Sequence, residues 1–230
     1  MKVLFVGNSH TFFNDMPELF AGFVEKTTGE KPEVVMLAYG GRDYQWHRKE
    51  YFAVRFNLMY GGYDYCVLQQ AAHPYPEKES TMEYGGMLIE LCKKYGVMPV
   101  VYMTWAEKRF PENQQKMIDT CTELAKKHDA LLAPVGRIWQ KVQQKYLDIE
   151  LYFRDGEHAG PYGDFLIAAV YCKLLTGNVS DEIIGQGFDF LQDEPMKMEM
   201  VTVIEDRKRI PVMLDEDKTG MILETVKEMM

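Results

Sequence analysis

The stretch Met1-Lys2-Val3-Leu4-Phe5-Val6-Gly7-Asn8-Ser9-His10-Thr11 opens with a run of apolar residues, Val3 to Val6, and passes through one glycine into a polar turn. An amphipathic run follows over residues 14–26, with Pro17 in its first turn and Gly29 past its end. Those are helix start and stop signals, and Asn14 or Asp15 is the expected cap. A short continuous apolar run followed at once by a helix reads as the first half of a βα unit whose strand is buried on both faces. The turn then lies at the strand's carboxyl end, where open parallel sheets bind ligands. Ser9 stands on that turn, either as a nucleophile or as a helix cap.

The same alternation continues along the chain. Apolar runs over 33–37, 65–68, 97–103 and 130–133 predict further strands, with Pro99 weakening the start of the fourth. Amphipathic runs over 44–59, 79–95, 112–128, 135–146 and 161–175 predict helices, several of them closed by glycine. Five strands alternating with helices make a parallel sheet covered on both faces, a three-layer α/β/α sandwich of flavodoxin-like kind. Residues 1–177 form that domain. Residues 178–230 are a C-terminal extension expected to pack on it, with helices over 180–191 and 218–229 and strand-like pieces over 200–204 and 210–214.

Composition narrows the function. The chain has 230 residues, 47% of them apolar, and a net charge of −9. So acidic a chain is a poor candidate for nucleic-acid binding, which needs a clustered positive surface. The basic runs Lys126-Lys127 and Arg207-Lys208-Arg209 read as solvated faces. No apolar run is long enough to span a bilayer and no secretory leader is visible, so a cytoplasmic protein without membrane partners is expected. Cys66, Cys92, Cys121 and Cys172 are widely spaced, as buried free thiols are.

Four segments reach the carboxyl edge of the predicted sheet: Gly7 to Thr11, Gly40-Gly41, Gln69-Gln70, and Asp155-Gly156-Glu157-His158. A serine at such a turn needs a base. Of the histidines, His128 ends an exposed helix and His47 lies in a helical stretch, half exposed. His10 and His73 lie on edge loops and are candidates for substrate contact. His158 has Asp155 three residues before it in a glycine-containing loop, which can set the carboxylate against one imidazole nitrogen and leave the other pointing outward. That is the orienter and base of a Ser-His-Asp system.

Gly7-Asn8-Ser9 at the front and Asp155-Gly156-Glu157-His158 before the last helix of the domain resemble the first and last blocks of the SGNH hydrolases, also called GDSL-type esterases. The resemblance covers about residues 1–177 and implies their fold. It also implies Ser9 as nucleophile, His158 as base, Asp155 as orienter, and an oxyanion hole made by the N–H groups of Ser9 and Gly41, with Gly40 the next match. Two blocks depart from the family. Asn8 replaces the aspartate beside the nucleophile, and Leu68-Gln69-Gln70 stands where the family has G-x-N-D. A glutamine amide offers the asparagine's donor one methylene further out, so Gln69 is the expected third oxyanion donor and Gln70 its alternative.

The implied activity is hydrolysis of small acyl esters, acetyl above all, without metal or organic cofactor. Aromatic residues near the edge, among them Trp105, Tyr44, Tyr39 and Trp46, suit stacking on sugars, so a small-molecule or oligosaccharide ester is the expected substrate. Substrate-binding roles go to His10, Trp105, Tyr44 and His73, and a homo-oligomer is left open. Alternatives are a metal-dependent hydrolase using His10, His73, Asp155 and His158, a short-chain lipase or thioesterase, and a non-catalytic binding module in which Ser9 is only a cap.

Overall fold

A computed structural model describes residues 1–187 and 212–230. The chain divides into two compact units, each assembled from two separate segments. The first takes Met1–Thr11 and Pro32–Arg137, the second Phe12–Lys31 and Ile138–Met230.

The first unit holds a five-stranded parallel sheet, β1 (Lys2–Gly7), β2 (Glu33–Ala38), β3 (Tyr65–Gln69), β4 (Met98–Tyr102) and β5 (Leu131–Ala133), in the order β2-β1-β3-β4-β5. All pairs are parallel, with Leu4 opposite Cys66 and Val67 opposite Val100. Val3 to Val6, Cys66 to Leu68 and Val100-Val101 are fully buried, the run of apolar residues that a doubly covered strand needs. The order reverses between β1 and β3, and ligand crevices form outside the carboxyl ends at such a switch point. Ser9 follows β1 and Gln69 ends β3, so both stand there.

Pro99 is accommodated inside β4. Met98 donates its N–H to Asp64 on the β3 side, and successive residues point their N–H groups to opposite neighbours. Pro99 therefore faces β5, whose pairing begins only at Val100, and its missing N–H leaves no gap in the ladder.

The helices of this unit are α3 (Tyr44–Lys49), α4 (Tyr51–Tyr60), α5 (Lys78–Lys94) and α6 (Asn113–Lys127), after α1 (Ser9–Phe12) and α2 (Met16–Thr28) in chain order. The single helix expected over 44–59 is broken at Glu50, whose ψ is 37°. Polar bonds from Tyr44 and His47 tie α3 to the strand ends, whereas α4 is held by Val54 and Leu58 in the core. The break lets each half meet its own contacts. His47, expected half exposed, is 1% exposed because its ring serves that bond. All four cysteines are free and buried, as expected.

α7 (Val135–Lys145) spans the point where the chain passes into the second unit, which also contains α2, α8 (Pro161–Thr176) and α9 (Glu216–Met229). α2 and α8 pack through Phe23 on Phe165, with ring centroids 5.0 Å apart, and Phe20 on Tyr171 at 6.0 Å. Each such ring, fully buried, contributes about 1.5–3 kcal/mol. α9 packs on α8, and its Ile222, Leu223 and Val226 are buried. Of the helix expected over 180–191, a 3₁₀ turn at Asp181–Ile183 is seen. Its end, the strand-like piece over 200–204, the first two residues of that over 210–214 and the run Arg207-Lys208-Arg209 lie outside the described residues.

Candidate active site

The turn after β1 is built from buried polar groups. Asn8 is the helix cap: its Oδ1 accepts from the His10 N–H at 3.0 Å, and its carbonyl accepts from the Thr11 N–H at 2.9 Å. Ser9 is thus the first residue of α1 rather than its cap. Below it, Gln69 is fully buried. Its Oε1 accepts from the Asn8 N–H at 2.7 Å and from the Thr11 hydroxyl at 3.1 Å, and its Nε2 donates to the Gln70 carbonyl. This explains the glycine that ends the strand. A Cβ on Gly7 would stand 2.5 Å from Gln69 Oε1 and closer still to Thr11 Oγ1. Gln69, expected to donate its amide to an oxyanion, is observed tying the Ser9 turn to β3.

The loop after β2 is fastened to the same turn. Tyr39 donates its N–H to the Gly7 carbonyl at 3.0 Å, and Asn8 Nδ2 donates to the Arg42 carbonyl at 2.9 Å. His47 Nε2 lies 2.8 Å from the Gly7 carbonyl, which makes this nitrogen the protonated one. Burial lowers the His47 pKa, with the Gly7 bond pulling the other way, so the ring is held neutral. Gly41 has φ +70°, a left-handed conformation that glycine adopts without strain, and is exposed. Among the described residues its N–H has no acceptor.

His10, His73 and Trp105 form one cluster. The His10 ring lies 4.8 Å from that of His73 and 5.4 Å from that of Trp105, and His73 Nε2 is 3.1 Å from the Trp105 carbonyl. Trp105 is fully buried, so it packs on His10 instead of facing solvent. Tyr44 also departs from expectation. It is 1% exposed, sits among Leu4, Leu68 and Leu88 in the core, and donates its hydroxyl to the Leu68 carbonyl at 2.8 Å. A tyrosine so placed supports the end of β3 and offers no surface to a substrate. Gln70 is likewise engaged, accepting from the Tyr44 N–H and donating to Thr81.

In the second unit, Asp155 and His158 are brought together as their spacing implied. Asp155 Oδ2 lies 2.8 Å from His158 Nδ1, while Oδ1 accepts the N–H groups of Glu157 at 2.9 Å and His158 at 3.0 Å. Gly156, at φ +73°, gives the loop its turn. Burial pushes the Asp155 pKa up, but the bonds from the His158 ring and the two N–H groups outweigh it and hold the carboxyl at about 2. A carboxylate fixed on Nδ1 selects the tautomer with hydrogen there and leaves Nε2 as the acceptor. Phe13 stacks beside the His158 ring, with centroids 4.7 Å apart.

This loop has an anchor that the sequence did not reveal. Asn14, fully buried, donates through Nδ2 to the Ala159 carbonyl at 3.1 Å and to Asp164 Oδ2 at 2.6 Å. Asn14 and Asp15 both have left-handed backbone, φ 54° and 60°, and neither side chain caps α2. The expected cap is absent because Asn14 is turned inward to its acceptors. Asp164 is 1% exposed, and burial raises its pKa well above the usual carboxylate range, against the Asn14 bond. Among the described residues no group of three or more His, Cys, Asp or Glu side chains is placed to hold a metal ion. No helix among them is long and apolar enough to cross a membrane.

No protein-family model matches the chain, and no curated protein sequence matches it. Solved structures do. An acetyl xylan esterase variant from Geobacillus stearothermophilus superposes with a TM-score of 0.65 at 11% identity, covering 76% of this chain and 94% of that one. A lipase/acylhydrolase from Enterococcus faecalis gives 0.61 at 14%, covering 78% and 97%. A member of the lipolytic protein G-D-S-L family from Veillonella parvula gives 0.60 at 15%, covering 76% and 98%. At these identities the likeness is one of fold, and it is the α/β fold of lipolytic and acetyl esterases.

Proposed function

We propose that this protein is a serine esterase that removes small acyl groups, acetyl above all, from a saccharide. The observation that carries the reading is the Asp155–His158 pair, with its carboxylate bonded to one ring nitrogen and to two backbone N–H groups. His158 Nε2 takes the proton of the Ser9 hydroxyl as Ser9 Oγ forms its bond to the ester carbonyl carbon. The N–H groups of Ser9 and Gly41 receive the developing oxyanion. The imidazolium then gives its proton to the departing alcohol as the ester C–O bond breaks. Water, deprotonated by the same nitrogen, releases the acid and restores Ser9. Asp155, ionised well below neutral pH, fixes the ring and balances the imidazolium charge.

Ser9 is the only serine this mechanism needs, and with Asn8 as the helix cap its side chain is not required for capping. The acetyl and saccharide preferences draw support from the acetyl xylan esterase among the structures of like fold. The test is labelling with a fluorophosphonate, which reacts only with an activated serine. The native chain takes up one equivalent at Ser9, insensitive to EDTA, and Ser9→Ala takes up none. Labelling that persists in Ser9→Ala, or nitrophenyl acetate hydrolysis that does, sinks the assignment. A kcat/KM that rises from acetyl through butyryl to octanoyl esters would favour a lipase instead.

A further inference from the structure

Arg42 has no part in the steps above, yet it is held beside them. Its carbonyl accepts from Asn8, the residue before Ser9 and the cap of the Ser9 helix. On one side of it, Tyr39 is bonded to Gly7. On the other, Asp43 caps α3 by accepting the Trp46 N–H at 2.8 Å, and Tyr44 and His47 are bonded to Gln70 and Gly7. The backbone around Arg42 is therefore fixed to the nucleophile turn from both directions.

The side chain points the other way in character. Arg42 is exposed, and its guanidinium carbon lies 5.3 Å from the centre of the Trp46 ring. Trp46 in turn lies 4.9 Å from Tyr39, and both rings are half buried. The chain carries 35 Asp and Glu against 26 Lys and Arg. Even so, no carboxylate pairs with Arg42 among the described residues, and its neighbour Asp43 is occupied by the cap. A guanidinium resting on an aromatic face keeps its planar N–H fork for an anion in the ring's own neighbourhood, and the stack limits the freedom lost when one binds. A carboxylate fits that fork with two parallel hydrogen bonds.

We propose that Arg42, with Tyr39 and Trp46, forms a subsite for a carboxylate on the alcohol side of the ester, so that the substrate is an acetylated sugar acid rather than a neutral acetylated sugar. The inference rests on the esterase reading and adds the charge of the substrate to it. The sugar ring lies beside Tyr39 and Trp46, and its carboxylate meets the Arg42 fork. A long acyl chain would gain nothing from this arrangement.

The experiment compares acetate release from mono-acetylated galacturonate and mono-acetylated galactose, with nitrophenyl acetate as a third ester. In the native protein kcat/KM favours the acid by about tenfold, mainly through KM, as one partly exposed charge-assisted contact implies. The preference shrinks as salt is added. Arg42→Gln abolishes it, and Arg42→Lys, which keeps the charge and loses the fork, retains part of it. An independent reading needs no variant: free galacturonate inhibits nitrophenyl acetate hydrolysis competitively at concentrations where galactose does not. An acid-to-neutral ratio that is the same in the native protein and in Arg42→Gln, or equal inhibition by both sugars, overturns the subsite and leaves the esterase reading standing. No hydrolysis of any of the three esters overturns both.

Discussion

The turn that carries Ser9 and the loop that carries His158 are held by opposite means. The Ser9 turn depends on residues remote in sequence. Gln69 is 61 positions from Asn8, His47 is 40 from Gly7, and Arg42 is 34 from Asn8. The His158 loop holds itself. Asp155 makes all three of its bonds to residues two and three positions on, Phe153 and His158 share a backbone bond, and Gly160 bonds back to Leu151. Asn14 is its distant anchor. Each half is therefore fragile in its own way. A self-contained loop fails through one residue, whereas a turn tied from several directions loses stability in portions.

The largest effect should therefore come from Asp155. Asp155→Asn keeps the size of the side chain but favours the wrong imidazole tautomer, and kcat is expected to fall by up to about 10⁴. Because the native carboxyl is held at about 2, below its ordinary 3.8, its contribution to stability is complete above pH 3.8 and is lost as the pH falls through about 2. Denaturant midpoints of the native chain and Asp155→Asn should thus converge between pH 5 and pH 2. A kcat loss under threefold would show that the loop does not work through this residue.

The Ser9 turn is probed next, and here the expected loss is shared. Gln69→Ala leaves the buried Asn8 N–H without its acceptor, which costs about 1–3 kcal/mol. Gly7→Ala forces a methyl group against the Gln69 amide, at about 1–3 kcal/mol. The two should be less than additive in the double variant, because truncating the glutamine vacates part of the space that the new methyl group needs. Urea denaturation of the four proteins checks this. If Gln69 acted only as an oxyanion donor, Gln69→Ala would instead lower kcat by about 10²–10³ and leave stability unchanged.

The anchor of the His158 loop gives a smaller and more selective effect. Asn14→Ala loses both hydrogen bonds and strains a left-handed position, whereas Asn14→Gly loses the bonds alone. The glycine variant should be the more stable of the two by about 1 kcal/mol. Asp164→Asn keeps an acceptor for Asn14 and removes a group whose pKa is raised by burial. A raised carboxyl contributes most below pH 3.8, and that contribution is lost as the pH rises. Asp164→Asn should accordingly gain on the native chain as the pH rises above 3.8. A gap that stays constant with pH would mean that Asp164 is ionised without penalty.

What can be read from the sequence divides along the same line. The alternation of strands and helices, and the Asp155-x-x-His158 spacing, are local patterns, and the structure has them within one or two residues of where the pattern puts them. The break at Glu50 has no glycine or proline to announce it, because it answers to contacts made elsewhere. Asn14 reads as a cap until its acceptors at Ala159 and Asp164 are known, 145 and 150 positions away. Gln69 stands out in the sequence as a polar residue at the end of a buried strand, but nothing in that position points to Asn8 and Thr11 as its partners. Trp105 and Tyr44 read as edge aromatics from their place in the chain, and only packing shows them to be interior.

The interleaved segments of the second unit have a consequence for synthesis. Helix α2 leaves the ribosome well before α8, carrying Leu19, Phe20, Phe23 and Val24 that end up buried. The face it packs on belongs to α8, where Thr27 meets Cys172 across 145 residues of chain. At about 5–20 residues per second, α2 waits roughly 7–30 s for its partner. For that interval the nascent chain displays an uncovered apolar stripe, and a transcript cut before the codons for α8 would leave it uncovered for good, a standing target for holdase chaperones and for aggregation.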